Sequence, residues 1–396
     1  MQIINNHKFS DLNNRLAKSV VEMPPSGIRE FFDLVAQRED IVTLGVGEPD
    51  FVTPQSIIDN AIESLRNGFT YYSGNQGFLS LREAISQYLE ELYQIKYNPK
   101  DEIIVTVGVS EAVDLALRAA INPGDGVLYG SPGYVSYSPL IRVAGGVAQK
   151  ISTSADKAFK MDYSAMNLAV DEKSKILFLN YPSNPTGASY TKEELLNIAS
   201  FVQEKNLIVI SDEIYSELSY NDNHIPFSAI DGMRERTVLM GGFSKGFAMT
   251  GWRIGYAAGP KEWIYAMLKI HQYSMLCAPT IAQFGAEAAL KYARADALKM
   301  KESYKSRRDF IVKAFNEIGL KTINPEGAFY IFPDIKSTGL DSYTFAKKLL
   351  NDESVAVIPG SAFGPEGEGF IRCCYATKME DLQISVERIR RFISRL

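Results

Sequence analysis

The chain has 396 residues, 46% of them hydrophobic and 22% charged, an ordinary globular composition with enough chain for two domains. Its 42 Lys and Arg against 47 Asp and Glu leave a net charge of −5 with no block of like sign. That argues against a basic face for nucleic acid and against a polybasic membrane anchor.

From about Asp101 to Gly259 strand-like and helix-like segments alternate. Residues 102–107 read as a strand, 110–120 as a helix, 126–129 as a strand, 136–143 as a helix and 146–151 as a strand. The continuous apolar run 176–180 fits a strand buried on both faces. Thr191-Lys-Glu-Glu194 fits a capping box that opens a helix to about Lys205. Strands at 207–211, 237–240 and 254–258 follow. This alternation implies an α/β fold with a mostly parallel sheet flanked by helices, whose ligands bind at the carboxyl ends of the strands. Beyond Lys261 long helical stretches run to about Glu317. A βαβ-like tail then has strands at 328–332, 355–358 and 369–375, and helices near 343–350 and at the C-terminus. The organisation expected is a large domain over 44–283 and a smaller α/β domain from 1–43 and 284–396.

No apolar run is long enough to span a bilayer, and the first thirty residues show no signal-peptide core. Cys277, Cys373 and Cys374 are too few, and odd in number, for a disulfide framework, so a reducing cytoplasm is expected. His7, His224 and His271 are scattered without partners at ligand spacing. They read as structural or surface residues, so neither a metal site nor a His-based triad is expected.

The densest cluster of special residues is Gly241-Gly-Phe-Ser244-Lys245-Gly-Phe-Ala-Met-Thr-Gly251-Trp-Arg253. A lysine in a glycine-rich turn alone is more often solvated, and the Walker A order is absent. Gly45-Val-Gly47-Glu-Pro-Asp50 fails to complete a dinucleotide fingerprint because Asp50 stands where the third glycine belongs. Ser211-Asp212-Glu213-Ile-Tyr215 sets two carboxylates and a phenol at a strand end, which otherwise reads as a capping loop. Asn180-Tyr-Pro-Ser-Asn184-Pro-Thr-Gly187 is, by itself, turn chemistry.

Together, and in order, these segments resemble the fold-type-I pyridoxal-phosphate-dependent aminotransferases of class I/II, the aspartate-aminotransferase-like family. The likeness runs through Gly45-x-Gly-Glu-Pro-Asp-Phe51, Tyr72 with Gly77 and Leu81-Arg82, Gly108-x-Ser110, Pro132-x-Tyr134, Asn184-Pro-Thr-Gly187, Asp212-Glu-x-Tyr215, Ser244-Lys245 to Arg253, and Phe370-Ile-Arg372. Pro24-Pro-Ser-Gly-Ile-Arg29 and Ala248-Met-Thr-Gly-Trp-Arg253 point to one subgroup of it.

The resemblance implies pyridoxal 5′-phosphate as cofactor, held by Lys245 as a Schiff base; the freed lysine would then move the substrate Cα proton. It implies that Asp212 faces the ring nitrogen, that Tyr215 and Asn184 bond the ring hydroxyl, and that Tyr134 stacks on the ring. The phosphate would rest on the amides of Val109 and Ser110 at a helix N-terminus, with Arg253 as cationic partner. Many family members carry a hydroxyl three residues before the lysine; here that residue is Gly242, so Ser244 or the backbone takes over. Arg372 would grip the substrate α-carboxylate with Gly47 and Asn184 close by, and Tyr72 would reach the phosphate of a partner subunit in a homodimer.

The activity implied is ping-pong transfer of an amino group from an L-amino acid to a 2-oxo acid such as 2-oxoglutarate. Aspartate, aromatic and aliphatic donors all stay open. The loop Gly108-Val-Ser-Glu111 lacks the lysine of some acidic-substrate relatives, which favours an aromatic or aliphatic donor, although Arg29 is a candidate cation. A lyase of the same fold, either a C–S β-lyase or ACC-synthase-like, is the alternative. A transcription-regulator module is disfavoured, because the forty residues before Gly45 are neither long nor basic enough for a DNA-binding domain.

Overall fold

The computed structural model describes residues 12–23, 40–220 and 224–396. Its main layer is a seven-stranded sheet in the order β2-β8-β7-β6-β5-β3-β4. The strands are β2 (Ile103–Thr106), β3 (Gly126–Ser131), β4 (Val147–Ser152), β5 (Ser174–Asn180), β6 (Ile208–Asp212), β7 (Thr237–Gly242) and β8 (Gly255–Ala258). β8 runs antiparallel to both its neighbours, and the other pairings are parallel. Alternation along β5 explains why this run is apolar throughout. Ile176 and Phe178 enter one core with the helices Gly108–Ala120 and Lys261–Ser274, while Leu177 and Leu179 enter the opposite core with Lys192–Glu204.

The capping box forms as expected. Thr191 Oγ1 accepts from the Glu194 amide at 3.2 Å, and Glu194 accepts from the Thr191 amide at 2.7 Å.

The tail differs from a βαβ unit. β9 (Tyr330–Ile331), β11 (Ile358–Pro359) and β12 (Ile371–Cys374) form an antiparallel sheet in the order β11-β12-β9. The strand expected over 355–358 is interrupted at Val357. Its first half, β10 (Val355–Ala356), pairs in parallel with β1 (Val42–Thr43), and its second half turns to β12. Two partners, β1 some 313 residues before β10 and β12 12–14 residues after β11, thus split one apolar run between two small sheets.

The boundary expected after residue 283 meets no break in the chain. It falls inside the helix Thr280–Tyr292, which packs on Gln55–Arg66 and Leu79–Tyr93 through buried Ala282, Ala286 and Ala289. Gly285 lets that helix lie against Trp252, whose ring an added Cβ would meet at 2.7 Å. Helix Arg294–Glu317 joins the large sheet to the small antiparallel one: Tyr304 and Phe315 share one core with Ile103 and Leu239 of the first and with Tyr330 and Ile371 of the second. Among the described residues, no helix is long and apolar enough to cross a membrane, and no group of three His, Cys, Asp or Glu could hold a metal ion.

Candidate active site

β5, β6 and β7 are adjacent and parallel, so they end on one edge of the sheet, at Asn180, Asp212 and Gly242. Asp212 is buried there. Its Oδ2 accepts from the Tyr137 hydroxyl at 2.8 Å, its Oδ1 accepts from the Ile214 amide at 3.2 Å, and Asn180 Nδ2 donates to its carbonyl at 3.1 Å. Burial raises the Asp212 pKa to about 6, and the two hydrogen bonds pull it back down. A cation placed against this carboxylate would keep it ionised. Glu213, one residue on, serves the interior instead: it meets His224 Nε2 at 2.7 Å and accepts from Ser211 Oγ and the Phe227 amide. The strand's two-residue period separates two adjacent carboxylates into one site group and one core group.

Lys245 lies in the turn after β7. Its Nζ donates to the Gly47 carbonyl at 2.6 Å, and the rings of Phe329 and Tyr215 lie 5.7 and 6.0 Å away. Burial lowers the ammonium pKa to about 8, and the charges of Arg372 and Arg253 push in the same direction. Tyr215 is buried with its hydroxyl 2.8 Å from that of Tyr330, and burial raises its pKa well above the usual range.

Arg372 on β12 is buried. Its Nη2 donates to the Gly45 carbonyl at 2.6 Å and its Nη1 to Asn184 Oδ1 at 3.1 Å, but its Nε has no partner. The guanidinium lies 4.6 Å from the Tyr330 ring centre and 5.0 Å from that of Phe363. A buried, unfilled N–H beside a planar fork calls for an acceptor, and a carboxylate meets that geometry. Gly47 lets the Tyr330 hydroxyl come close, because any Cβ at this position would overlap it.

The turn after β2 enters helix Gly108–Ala120 through Gly108, whose φ of +73° suits glycine. A Cβ there would also meet Arg253 Nη2 at 2.8 Å, so the guanidinium lies directly against the turn. Val109 is buried and Ser110 exposed at the start of that helix, where the first amides have no intrahelical acceptor. Arg253 itself is exposed, has a φ of 53°, and donates from Nη1 to the Thr250 carbonyl at 2.9 Å. At Gly242, a Cβ would lie 2.9 Å from Ile214 Cδ1 and 3.0 Å from Val109 Cγ2, so a side chain there would need these methyl groups to shift. Ser244 is buried close by in the Lys245 turn.

Lys245, Asp212, Tyr215, Asn184, Arg372 and Gly47 thus come together, and Arg253 acts electrostatically on Lys245. Tyr134 packs edge-on against Tyr137, with centroids 5.4 Å apart. Tyr72 is not drawn into this cluster; it is 76% exposed, on a segment tied to the 276–280 turn by Asn75 to Leu276 and Thr280 to Tyr71. Arg29 lies outside the described residues. Two site residues, Tyr137 and Tyr330, had no distinguishing signal in the sequence. Tyr137 reads as one more apolar residue of a helix, and Tyr330 as one of four aromatic and aliphatic residues of a strand.

The donor set fits pyridoxal phosphate: an amine of lowered pKa, a buried carboxylate awaiting a cation, an anion-ready turn with an arginine against it, and an arginine fork with one unfilled N–H.

The family model for aminotransferases of class I and II matches residues 39–389. The Bacillus subtilis protein YugH is 50% identical over 96% of this chain and 99% of its own length. The aspartate aminotransferase of Pyrococcus abyssi is 43% identical over 93% of this chain and 96% of its own. The crystal structure of an aromatic aminotransferase from Pyrococcus horikoshii superposes with a TM-score of 0.88 at 42% identity, covering 93% of this chain and 99% of that one. The lyase alternative gains no support from these relatives. The chain belongs to the class I and II aminotransferases.

Proposed function

We propose that this aminotransferase uses pyridoxal 5′-phosphate to move the amino group of an L-amino acid to a 2-oxo acid such as 2-oxoglutarate, in ping-pong order. The observation that carries the proposal is a buried amine of lowered pKa, Lys245, beside the Arg372 fork with its unfilled N–H. When bound, the cofactor supplies an aldehyde that condenses with amines and a pyridinium ring that draws off the electron pair released at the substrate Cα.

The chain's own groups do the rest. Lys245 Nζ would be the amine that holds the cofactor aldehyde, and burial, which lowers its pKa to about 8, suits it to take a proton from the substrate Cα and return it. Asp212, held in place by Tyr137 and the Ile214 amide, would keep the ring nitrogen cationic. Tyr215 and Asn184 would donate to the ring hydroxyl, and Tyr134 would cover a ring face. The Val109 and Ser110 amides, Arg253 and Ser244 hold the phosphate. Arg372 fixes the α-carboxylate, with the Gly47 backbone alongside.

We infer further that the enzyme is a cytoplasmic homodimer in which Tyr72, so exposed in one chain, reaches the partner's phosphate. The donor side chain is aromatic or aliphatic. Supporting this preference, the turn at 108–111 carries no lysine to meet a second carboxylate.

The test is a visible absorption spectrum of the protein loaded with pyridoxal phosphate. A band that shifts on adding phenylalanine, and is missing in Lys245→Ala, is expected. A band that withstands every amino acid, or persists in Lys245→Ala, would overturn the reading. Preference for aspartate over phenylalanine in the same titration would overturn the side-chain assignment alone.

A further inference from the structure

The turn 107–110 is braced from behind by two groups that the proposed chemistry does not use. Glu111 Oε2 accepts from the Val107 amide at 2.5 Å, and Glu111 Oε1 lies 2.7 Å from His271 Nδ1. His271 comes from the helix Lys261–Ser274 and is fully buried, and the Glu111 side chain is 9% exposed. From below, Thr106 Oγ1 donates to the Gly108 carbonyl at 3.0 Å. On its flank, the Gly255 backbone lies so near that a Cβ there would meet Gly108 C and Val109 N at 2.9 Å.

Three consequences follow from this arrangement. The Val107 amide is taken by Glu111, so the amides left to an external anion are those of the following residues, Val109 and Ser110 among them. The Glu111 carboxylate stands one residue past Ser110, on the same first helical turn, where the unpaired amides would otherwise attract it as they attract any anion. His271 holds it on the buried side of the turn. The turn is therefore preset, and an arriving phosphate need not reorganise it.

We propose that Glu111 and His271 are positioning residues for phosphate: they shape the 107–110 turn and keep the protein's own carboxylate off the amides that bind it. This rests on the cofactor reading above. It predicts a defect confined to the phosphate end of the cofactor, which a merely structural pair would not produce.

The experiment compares pyridoxal phosphate with pyridoxal, which lacks the phosphate, by absorbance titration of enzyme stripped of its cofactor. In Glu111→Ala the Kd for pyridoxal phosphate rises ~10-fold, the worth of about one net hydrogen bond, while the Kd for pyridoxal stays within about 2-fold. Glu111→Gln restores most of the affinity, because its amide can still accept from Val107 and can donate to the imidazole. His271→Leu leaves the Val107 acceptor in place and reads the same ratio from the other end; it also weakens inorganic phosphate as a competitor. Equal losses for both ligands, or no loss for either, would overturn the proposal. A wild-type enzyme that binds pyridoxal as tightly as pyridoxal phosphate would instead sink the phosphate assignment of the turn itself.

Discussion

The two sides of the site are built in different ways. On the large-sheet side, Asn180, Asp212 and the Lys245 turn sit at or just beyond the ends of adjacent parallel strands, so the backbone register alone sets them side by side. On the small-sheet side, Arg372 is fixed by contacts that reach 327 residues to Gly45 and 188 to Asn184. Lys245 closes the circle through the Gly47 carbonyl, 198 residues away. One side is placed by local geometry, and the other is assembled from remote segments. The difference predicts that lesions on the first side damage cofactor handling and turnover, and that lesions on the second damage substrate affinity.

The largest effect expected is from Lys245→Ala. Removing the group that both holds the cofactor and moves the proton lowers kcat by ~10³-fold or more, with the fold kept, as circular dichroism would report. Arg372→Ala comes next, raising KM for the amino acid by ~10²-fold while the visible spectrum of the resting enzyme stays in place; a charged bidentate contact is worth roughly 3 kcal/mol. Arg372→Ala that spared KM and abolished the spectrum would erase the distinction between the two sides. Tyr137→Phe is the smallest of the three, with kcat down ~10-fold and KM little changed.

Tyr137→Phe also sharpens the comparison through pH. In enzyme stripped of its cofactor, Asp212 has a pKa raised to about 6, so the folded state binds its proton more tightly than the unfolded chain does. Its contribution to stability is then full below the unfolded carboxyl pKa and is lost as pH rises toward 6. The Tyr137 bond lowers the Asp212 pKa, so Tyr137→Phe extends that loss to higher pH, as thermal melts across pH 4–8 would show. An unchanged pH profile would mean that the hydroxyl does not act on Asp212. For Lys245 the sign is opposite: with the pKa lowered to about 8, the buried ammonium costs stability below 8, and stability recovers as pH rises from there toward the unfolded lysine value.

The same contrast decides what the sequence made legible. The strand-end motifs are contiguous in the chain, so Asp212, Asn184 and Lys245 could be read from their neighbours. The mostly parallel sheet flanked by helices and the capping box at Thr191 were legible for the same reason. The break at Val357 was not, since it arises only when β1 and β12 compete for one short run. Tyr330 was hidden too, because its value lies in touching Gly47, Tyr215 and Arg372, none near it in sequence. Gly242 looked like a missing hydroxyl; in the structure the methyl groups of Ile214 and Val109 crowd the space beside it.

The central claim is amino-group transfer with the cofactor as carrier, and a single half-reaction tests it most directly. Loaded enzyme is mixed with one amino acid and no 2-oxo acid, and the products are counted. The account predicts one equivalent of the corresponding 2-oxo acid per site, no free ammonia, and recovery of the starting spectrum when 2-oxoglutarate is added. Continuous release of ammonia or a thiol, with no stoichiometric stop, would contradict it.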